Sequence, residues 1–261
     1  MPDLRWLFKE PRLEGIESGS LEYLRLQEEI MRSRPLLRAN YDLWYSKMLK
    51  DESTVPKNRQ GKILEIGSGG NYVKTLRPDV ITSDVVSGAS DMAIDARLIP
   101  FPDRSLRAIL MPHSFHHIPD VRAFLKEASR TLVPEGVISM IEPSATPMAR
   151  IFFKYFHQEP FLARAKEWTF DSTNSMDSSN QALSWIVLKR DRRKFETLFP
   201  NLRVEHFGYL PWFSYVASGG VTRKNLVPSF ATPLVKAMDV LTAPFHPIAA
   251  LNWHITLRQS A

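Results

Sequence analysis

The sequence predicts an α/β fold built on a mostly parallel sheet, and three observations predict it. Residues Lys62 to Gly70 read Lys-Ile-Leu-Glu-Ile-Gly-Ser-Gly-Gly. An apolar run that ends in a carboxylate and then a glycine turn is how a buried parallel strand looks where it stops at a ligand. Val80 to Asp84 is a second short apolar run closing on an acid, about twenty residues beyond Glu65. From there to Pro143, strand-like and helix-like pieces alternate, the pattern of stacked βαβ units.

Residues 1–15 read as an irregular arm. Ser20 to Arg34 has helical patterning, with Ser18 or Ser20 as its cap. Pro35 suits the first turn of a second helix running to about Lys50. Its apolar positions Leu36, Leu37, Tyr41, Trp44, Tyr45 and Met48 follow helical spacing, which a core-facing stripe explains. Asp51 to Gln60 reads as a polar linker. The connection between the first two strands is short, so the helix after the glycine turn has at most two turns. Arg107 to Met111 reads as a fourth strand, Phe124 to Val133 as a helix, Pro134-Glu135-Gly136 as a turn and Val137 to Pro143 as a fifth strand. Met148 to Phe156 is helix-like and 171–180 loop-like. Ala182 to Phe199 is helix-like, Leu202 to Phe207 strand-like, and Asn252 to Leu257 a final strand.

Gly67 and Gly69 let the backbone turn sharply and come close to a ligand, and Glu65 stands at the strand's carboxyl end, where open α/β sheets bind ligands. A dinucleotide fingerprint needs a third glycine at position 72, which is Tyr72, and no phosphate loop ending in Gly-Lys-Ser/Thr is present. Asp84 is placed to hydrogen-bond ribose hydroxyls. The remaining pattern, Glu-x-Gly-x-Gly-Gly, resembles the first motif of class I S-adenosylmethionine-dependent methyltransferases of the type 11 kind, with the last glycine displaced to Gly70 and Asn71 in its usual place. Asp95 to Leu106 resembles that family's Asp-Ala-x-x-Leu-Pro-Phe-x-Asp-x-Ser-Phe segment. Ser114 to Asp120 resembles its Leu-His-His-Ile-x-Asp. The likeness covers about residues 60–145.

This resemblance implies a Rossmann-like, seven-stranded, mostly parallel sheet with helices on both faces. It divides the chain into an N-terminal arm and helical lid (1–60) and a methyltransferase domain (61–261). It implies S-adenosyl-L-methionine as cofactor, held by Glu65, Gly67, Ser68, Gly69, Gly70, Asp84, Asp95, Ala96 and Met111. Asp95 would reach the adenine amino group and the Ala96 amide a ring nitrogen. Tyr41 and Trp44 would belong to a lid over cofactor and substrate.

An insert of about 208–247 separates the last two strands. It holds Tyr209, Trp212, Phe213, Tyr215, Phe230 and Phe245, a Ser218-Gly219-Gly220 turn and several prolines. Connections there are normally short. A substrate cap, a dimer surface, a shallow membrane contact and an extra helical layer all fit its composition.

A chain of 261 residues that is 44% hydrophobic buries a full core. With no cysteine, it has neither disulfides nor thiolate metal sites. The N-terminus lacks a signal-peptide layout, and no run of eighteen or more residues is continuously apolar, so a cytoplasmic location is expected. The net charge of +6 comes from scattered bases. The densest run, Lys189 to Lys194, is broken by Asp191 and suits a solvated helix face better than a nucleic-acid contact.

Methyl transfer from a sulfonium needs alignment and exclusion of water, and a general base only where the acceptor must lose a proton. His116 and His157 are the candidate bases, with His113 and His117 close by in sequence. One of the His116-His117 pair is as readily a loop-shaping residue. No metal ligand set is expected. The motif for methylating amino groups of bases or glutamine is missing, since Met111-Pro112-His113-Ser114 stands in its place. The leading expectation is a methyltransferase acting on a small-molecule, glycan or lipid-linked acceptor, with no nucleic-acid partner and a peripheral membrane contact in view. The alternatives are an RNA or protein methyltransferase and a non-catalytic S-adenosylmethionine-binding module. The oligomeric state stays open.

Overall fold

In the computed structural model, which describes residues 8–171 and 178–261, the apolar runs around the glycine turn become the middle of one sheet. Strand β1 (Lys62–Ile66) lies between β2 (Ile81–Asp84) and β4 (Leu106–Pro112), with a two-residue β3 (Met92–Ala93) beyond β2. Strand β5 (Leu132–Pro143) pairs with β4, and β7 (Asn252–Gln259) and β6 (Leu202–Tyr209) complete the order β3-β2-β1-β4-β5-β7-β6. The first five are parallel, while β7 runs antiparallel to both β5 and β6. The sheet is seven-stranded and mostly parallel, as the resemblance implied.

Strand alternation sorts side chains into two layers. Leu64 and Ile66 of β1, with Ile109 and Met111 of β4, face α3 (Val121–Thr131), whose Phe124 and Leu125 are fully buried. Ile63 and Leu110 face the opposite layer. It is built by Ile30 and Met31 of α1 (Leu21–Ser33) and by Leu37, Trp44, Tyr45 and Met48 of α2 (Pro35–Ser53). The Ser20 hydroxyl caps α1 by accepting from Tyr23 N, and Pro35 opens α2. Asp120 caps α3, and Thr146 caps α4 (Pro147–Phe156).

Several expected boundaries move. Helix α2 continues through Asp51 and Glu52, so the linker starts later than the polarity of that stretch suggested. Asp51 Oδ2 accepts from Ser139 and Thr256 and lies 2.7 Å from His254 Nε2, and Glu52 pairs with Arg107 at 2.6 Å. Acids with such partners belong to a helix end docked on the sheet. The Pro134-Glu135-Gly136 turn is instead a bulge inside β5, where Leu132 pairs with Leu106 and Val137 with Ala108. The helix expected over 182–199 is broken into α5 (Leu183–Trp185), a π turn (Ile186–Arg190) and α6 (Arg192–Leu198) around Asp191. After the glycine turn there is a single 3-10 turn, Tyr72–Thr75. Residues 1–7 of the expected arm and 172–177 of the expected polar loop lie outside the described residues.

The insert folds into α7 (Phe213–Ser218), α8 (Thr232–Leu241) and α9 (His246–Ala249), with 3-10 turns between them. It is tied to the N-terminal part of the chain. Buried Arg34, between α1 and α2, donates to the carbonyls of Ser218, Gly220 and Arg223 and ion-pairs with Glu10. Glu10 N donates to Thr222 O at 3.0 Å and Lys224 N to Phe8 O at 2.8 Å. No helix among the described residues is long and apolar enough to cross a membrane.

Candidate active site

Strands β1, β2 and β4 end side by side, and the loops leaving them are stitched together. Ser68 N donates to Ser83 O at 2.9 Å. Gly69 N donates to Asp84 Oδ2 at 3.1 Å, and Val86 N to Asp84 Oδ1 at 3.0 Å. Ser114 Oγ donates to Ile66 O at 2.7 Å. Gly67 (φ +71°) is forced to be glycine twice over: its backbone is left-handed, and a Cβ there would lie 2.4 Å from Ser114 Cβ. Gly69 (φ +58°) differs, because a Cβ there would meet nothing within 4 Å. The turn therefore bares its backbone to open space. A Cβ on Gly70 would strike Glu28 of α1, so that glycine serves the approach of the covering helix.

That space is one cavity of about 880 Å³. Its wall includes Gly67, Ser68, Gly69, Gly70, Asp84, Asp95 and Ala96 on one side, and His113, His116, His117, His157, Glu159 and Gln181 on another. Phe152, Phe153 and Phe156 of α4, Tyr215 and Val216 of α7, and Tyr23, Leu24 and Met31 of α1 close it with apolar surface. Tyr41 reaches the cavity, while Trp44 does not line it and packs against His113 and Tyr215 behind the wall.

Two sequence-predicted residues lie behind that wall. Glu65 is fully buried on the α2 side of β1, where it accepts from Ser68 Oγ and from Tyr45 Oη, each at 2.5 Å. Burial pushes its carboxyl up to about 7, against the two hydroxyls that favour the carboxylate. Met111 is fully buried on the α3 side of β4, because alternation turns it into the core. Asp84 is raised by burial and held back by the Val86 and Gly69 amides. Asp95 is exposed and forks onto Arg97, whose hydrogen bonds hold its carboxyl below the usual range.

The histidines gather around one carboxylate. His116, on the short turn after β4, has Nδ1 2.8 Å from Glu142 Oε2 and Nε2 3.2 Å from Glu159 Oε2. Its burial favours the neutral ring, yet Glu142 and Glu159 outweigh that and push it up to about 10. His117 Nε2 is 3.6 Å from the same Glu159 oxygen. Burial would raise Glu159, but His117, His116 and His157 hold it well below the carboxylate range. His157 caps the end of α4, and its Nδ1 accepts from Glu159 N at 3.3 Å. His113 has a left-handed backbone (φ +58°), uncommon for a residue with a side chain. Its ring stacks on Tyr215 with centroids 6.3 Å apart, and burial pulls it down to about 3, with His116 adding to the shift.

Sequence reasoning missed Glu142 and Gln181, and it named Tyr215 only among the insert aromatics that a substrate cap would explain. Glu142 had a visible signal: like Glu65 and Asp84, it is an acid at the end of an apolar strand. Gln181 sits in a loop where no periodicity marks it. The basic run Lys189–Lys194 is used elsewhere. Arg190 donates to the carbonyls of Ala163 and Ala165, Arg192 pairs with Glu196, and none of the run lines this cavity.

The donor set fits an adenosyl sulfonium cofactor: bare turn backbone, an acid at the end of β2, a buried Ala96 beside Asp95, and room beyond them. Residues 64–140 match the family model described as a methyltransferase domain. No curated protein matches the sequence. Among solved structures, the chain is similar to a SAM-dependent methyltransferase from Archaeoglobus fulgidus (12% identity over 84% of this chain and 94% of that one, TM-score 0.48). It is similar too to a geranyl diphosphate C-methyltransferase from Streptomyces coelicolor A3(2) (12% identity, 96% and 88%, TM-score 0.48). A third is phosphoethanolamine N-methyltransferase 2 from Haemonchus contortus (12% identity, 95% and 59%, TM-score 0.48). The glycine turn and the acid-ended second strand both lie within this matched stretch, so residues 64–140 carry a methyltransferase domain.

Proposed function

We propose that the enzyme methylates a small amphipathic acceptor with a polar, hydroxyl-bearing end. The observation that carries this reading is the continuity of the cavity. It joins the glycine turn to the histidine–Glu159 cluster and then to the aromatic wall of α4 and α7. The cluster suits a polar head, and the aromatic wall an apolar body.

S-adenosylmethionine, when bound, would supply a methyl group already activated on its sulfonium, which leaves the protein to align the acceptor and exclude water. In this reading Gly67, Ser68, Gly69 and Gly70 give it their backbone, Asp84 its ribose contact, and Asp95 and Ala96 its adenine contacts. Glu65 and Met111 support from behind. The Asp84 oxygens already brace the turn, so the acid both shapes the loop and faces the ribose. His116 holds its proton between two carboxylates and is assigned to orienting Glu159 and the acceptor head. Removal of the acceptor's proton falls to His157. Helices α1 and α2, with the insert, cover the site and exclude water.

Support for a lipid-presented acceptor comes from the outside of that cover. Phe230 is 86% and Val240 74% exposed, and Leu234, Leu241, Phe245 and Ile248 are exposed too. Helix α4 turns Phe152 and Phe156 into the cavity and exposes Ile151 and Tyr155. An RNA or protein acceptor finds less support, because the basic run lies away from the cavity.

Calorimetric titration with S-adenosylhomocysteine, with NAD as control, tests the cofactor half. Micromolar binding of the first alone is expected. The acceptor half is tested by following S-adenosylhomocysteine release across hydroxylated amphiphiles of rising chain length. A preference for short, fully polar acceptors would refute it. His157→Ala should abolish turnover and leave cofactor affinity intact; retained turnover would remove His157 from the chemistry.

A further inference from the structure

We infer that His116, His117 and Glu159 form a binding site for a divalent first-row transition ion such as Zn²⁺, on the acceptor side of the cavity. This rests on the reading of that cavity as the active site, but ion binding itself is measured without turnover.

The donor atoms are already gathered. One ring nitrogen each of His116 and His117 and a Glu159 carboxylate oxygen lie within 4.8 Å of one another. The Glu159 oxygen is 3.2 Å from His116 Nε2 and 3.6 Å from His117 Nε2. In a tetrahedral zinc site with bonds of about 2.0–2.1 Å, ligand atoms stand about 3.4 Å apart. These two separations bracket that edge, and the third lies within 4.8 Å, so an ion fits with side-chain movements alone. Two imidazoles and one carboxylate suit Zn²⁺ or Fe²⁺ and disfavour Mg²⁺, which takes oxygen ligands.

The surroundings match an ion site in two further ways. His116 Nδ1 is engaged by fully buried Glu142 at 2.8 Å, which fixes the ring and leaves Nε2 aimed at Glu159. A carboxylate behind a ligating imidazole is the usual orienting arrangement. The second observation is Gln181, which is 2% exposed. Its amide nitrogen faces both Glu159 and, at 3.3 Å, His116 Nε2, while its oxygen is buried with no hydrogen-bond partner. As an ion pair alone, the cluster sets an N–H of Gln181 against the N–H that His116 must offer to Glu159. Two donors then face each other and one acceptor is wasted. With an ion in place of the shared proton, His116 Nε2 carries no hydrogen, so the Gln181 amide keeps its N–H bond to Glu159 and no longer faces a second donor. All three ligand residues line the cavity, so the fourth position is open to an acceptor oxygen, which a bound ion would hold and acidify.

The test is metal content. Untagged protein is dialysed against Zn²⁺ and then against metal-free buffer, in parallel with His117→Ala and Glu159→Gln. Wild type should keep one zinc per chain, each variant less than a tenth of that, and Mg²⁺ should not be kept. S-adenosylhomocysteine affinity, measured on the same samples, should be equal in all three and reports that the fold is intact. Gln181→Ala should weaken zinc about tenfold or more. A zinc-free wild type, or equal zinc in wild type and both variants, would overturn the inference. Zinc retention in a protein that binds no S-adenosylhomocysteine would uphold the ion site and sink the cofactor reading instead.

Discussion

At the scale of single residues, the acids that end strands do different work according to the face they occupy. Asp84 lies in the loop plane and braces the Gly69 and Val86 amides. Asp84→Ala removes a carboxylate that accepts two backbone N–H bonds, so S-adenosylhomocysteine binding should weaken by about 1.5–3 kcal/mol, read by calorimetry. Unchanged affinity would show that the loop holds its shape without that acid. Glu65 points into the α2 layer, and its effect is on stability. Its carboxyl, at about 7 in the fold, stands above its ordinary 4.5. Below 4.5 both folded and unfolded chains carry the proton; as pH rises from there to 7 the unfolded chain ionises first and the fold loses stability. Glu65→Gln should flatten that decline, seen as melting temperatures that vary less between pH 5 and 7 than those of wild type. The glycine turn and Asp84 were legible in sequence because loop chemistry demands particular residue types at fixed spacing. The place of Glu65 behind the wall was not, since the motif names the residue and only strand alternation with a helix overhead tells its direction.

At the scale of elements, helix ends matter more than composition suggested. Asp51 reads as linker polarity, yet it pins the end of α2 to β5 and β7 through Ser139, His254 and Thr256. The trio Asp51, His254 and Ser139 is not a hydrolytic triad, because acid and hydroxyl share one imidazole nitrogen, Nε2, where a triad needs them on opposite ones. Burial would raise Asp51, but His254 and the two hydroxyls hold it below its ordinary 3.8. Its contribution is therefore complete above pH 3.8 and lost as pH falls through the lower folded value, opposite in sign to that of Glu65. Asp51→Asn should lower the melting temperature at pH 7 and narrow its gap to wild type in strong acid; a gap independent of pH would mean the asparagine keeps the same bonds. Arg34 is the other joint. It donates to three insert carbonyls while paired with Glu10. Arg34→Met should cost about 1–3 kcal/mol, because it leaves the insert carbonyls without their donor and Glu10 with Arg12 alone. Arg34→Met with Glu10→Leu should recover much of it, as denaturant midpoints would reveal. Neither joint shows in the sequence, because each partner is remote along the chain and only the fold brings it close.

For the whole molecule, the mostly parallel sheet was legible because its strands write themselves as apolar runs with acids and glycines at their ends. The cover was not, because it is assembled from residues 8–10, α1, α2 and the insert, none of which has a pattern pointing to the others. Assembled, it has a buried polar seam inside, where Arg34 and Glu10 pair, and an apolar exterior carrying Phe230, Leu234, Val240, Leu241, Phe245 and Ile248. Scattered exposed apolar residues are ordinary; this many within residues 230–249, on a chain of net charge +6, suit the surface of an anionic bilayer. Leu241→Glu with Phe245→Glu leaves the buried Val235 and Ala249 of the same stretch in place, so folding and S-adenosylhomocysteine affinity should match wild type. Transferring two large side chains out of the interface, and adding two charges of the membrane's own sign, should reduce co-sedimentation with phosphatidylglycerol-containing vesicles on the order of tenfold or more. Turnover of an acceptor held in those vesicles should fall in step, while turnover of the same head group on a short soluble chain should not change. Equal loss on both acceptors would place these residues in the catalytic cover rather than on a membrane face. Vesicle binding that ignores both substitutions would leave the bilayer to some other surface of the protein.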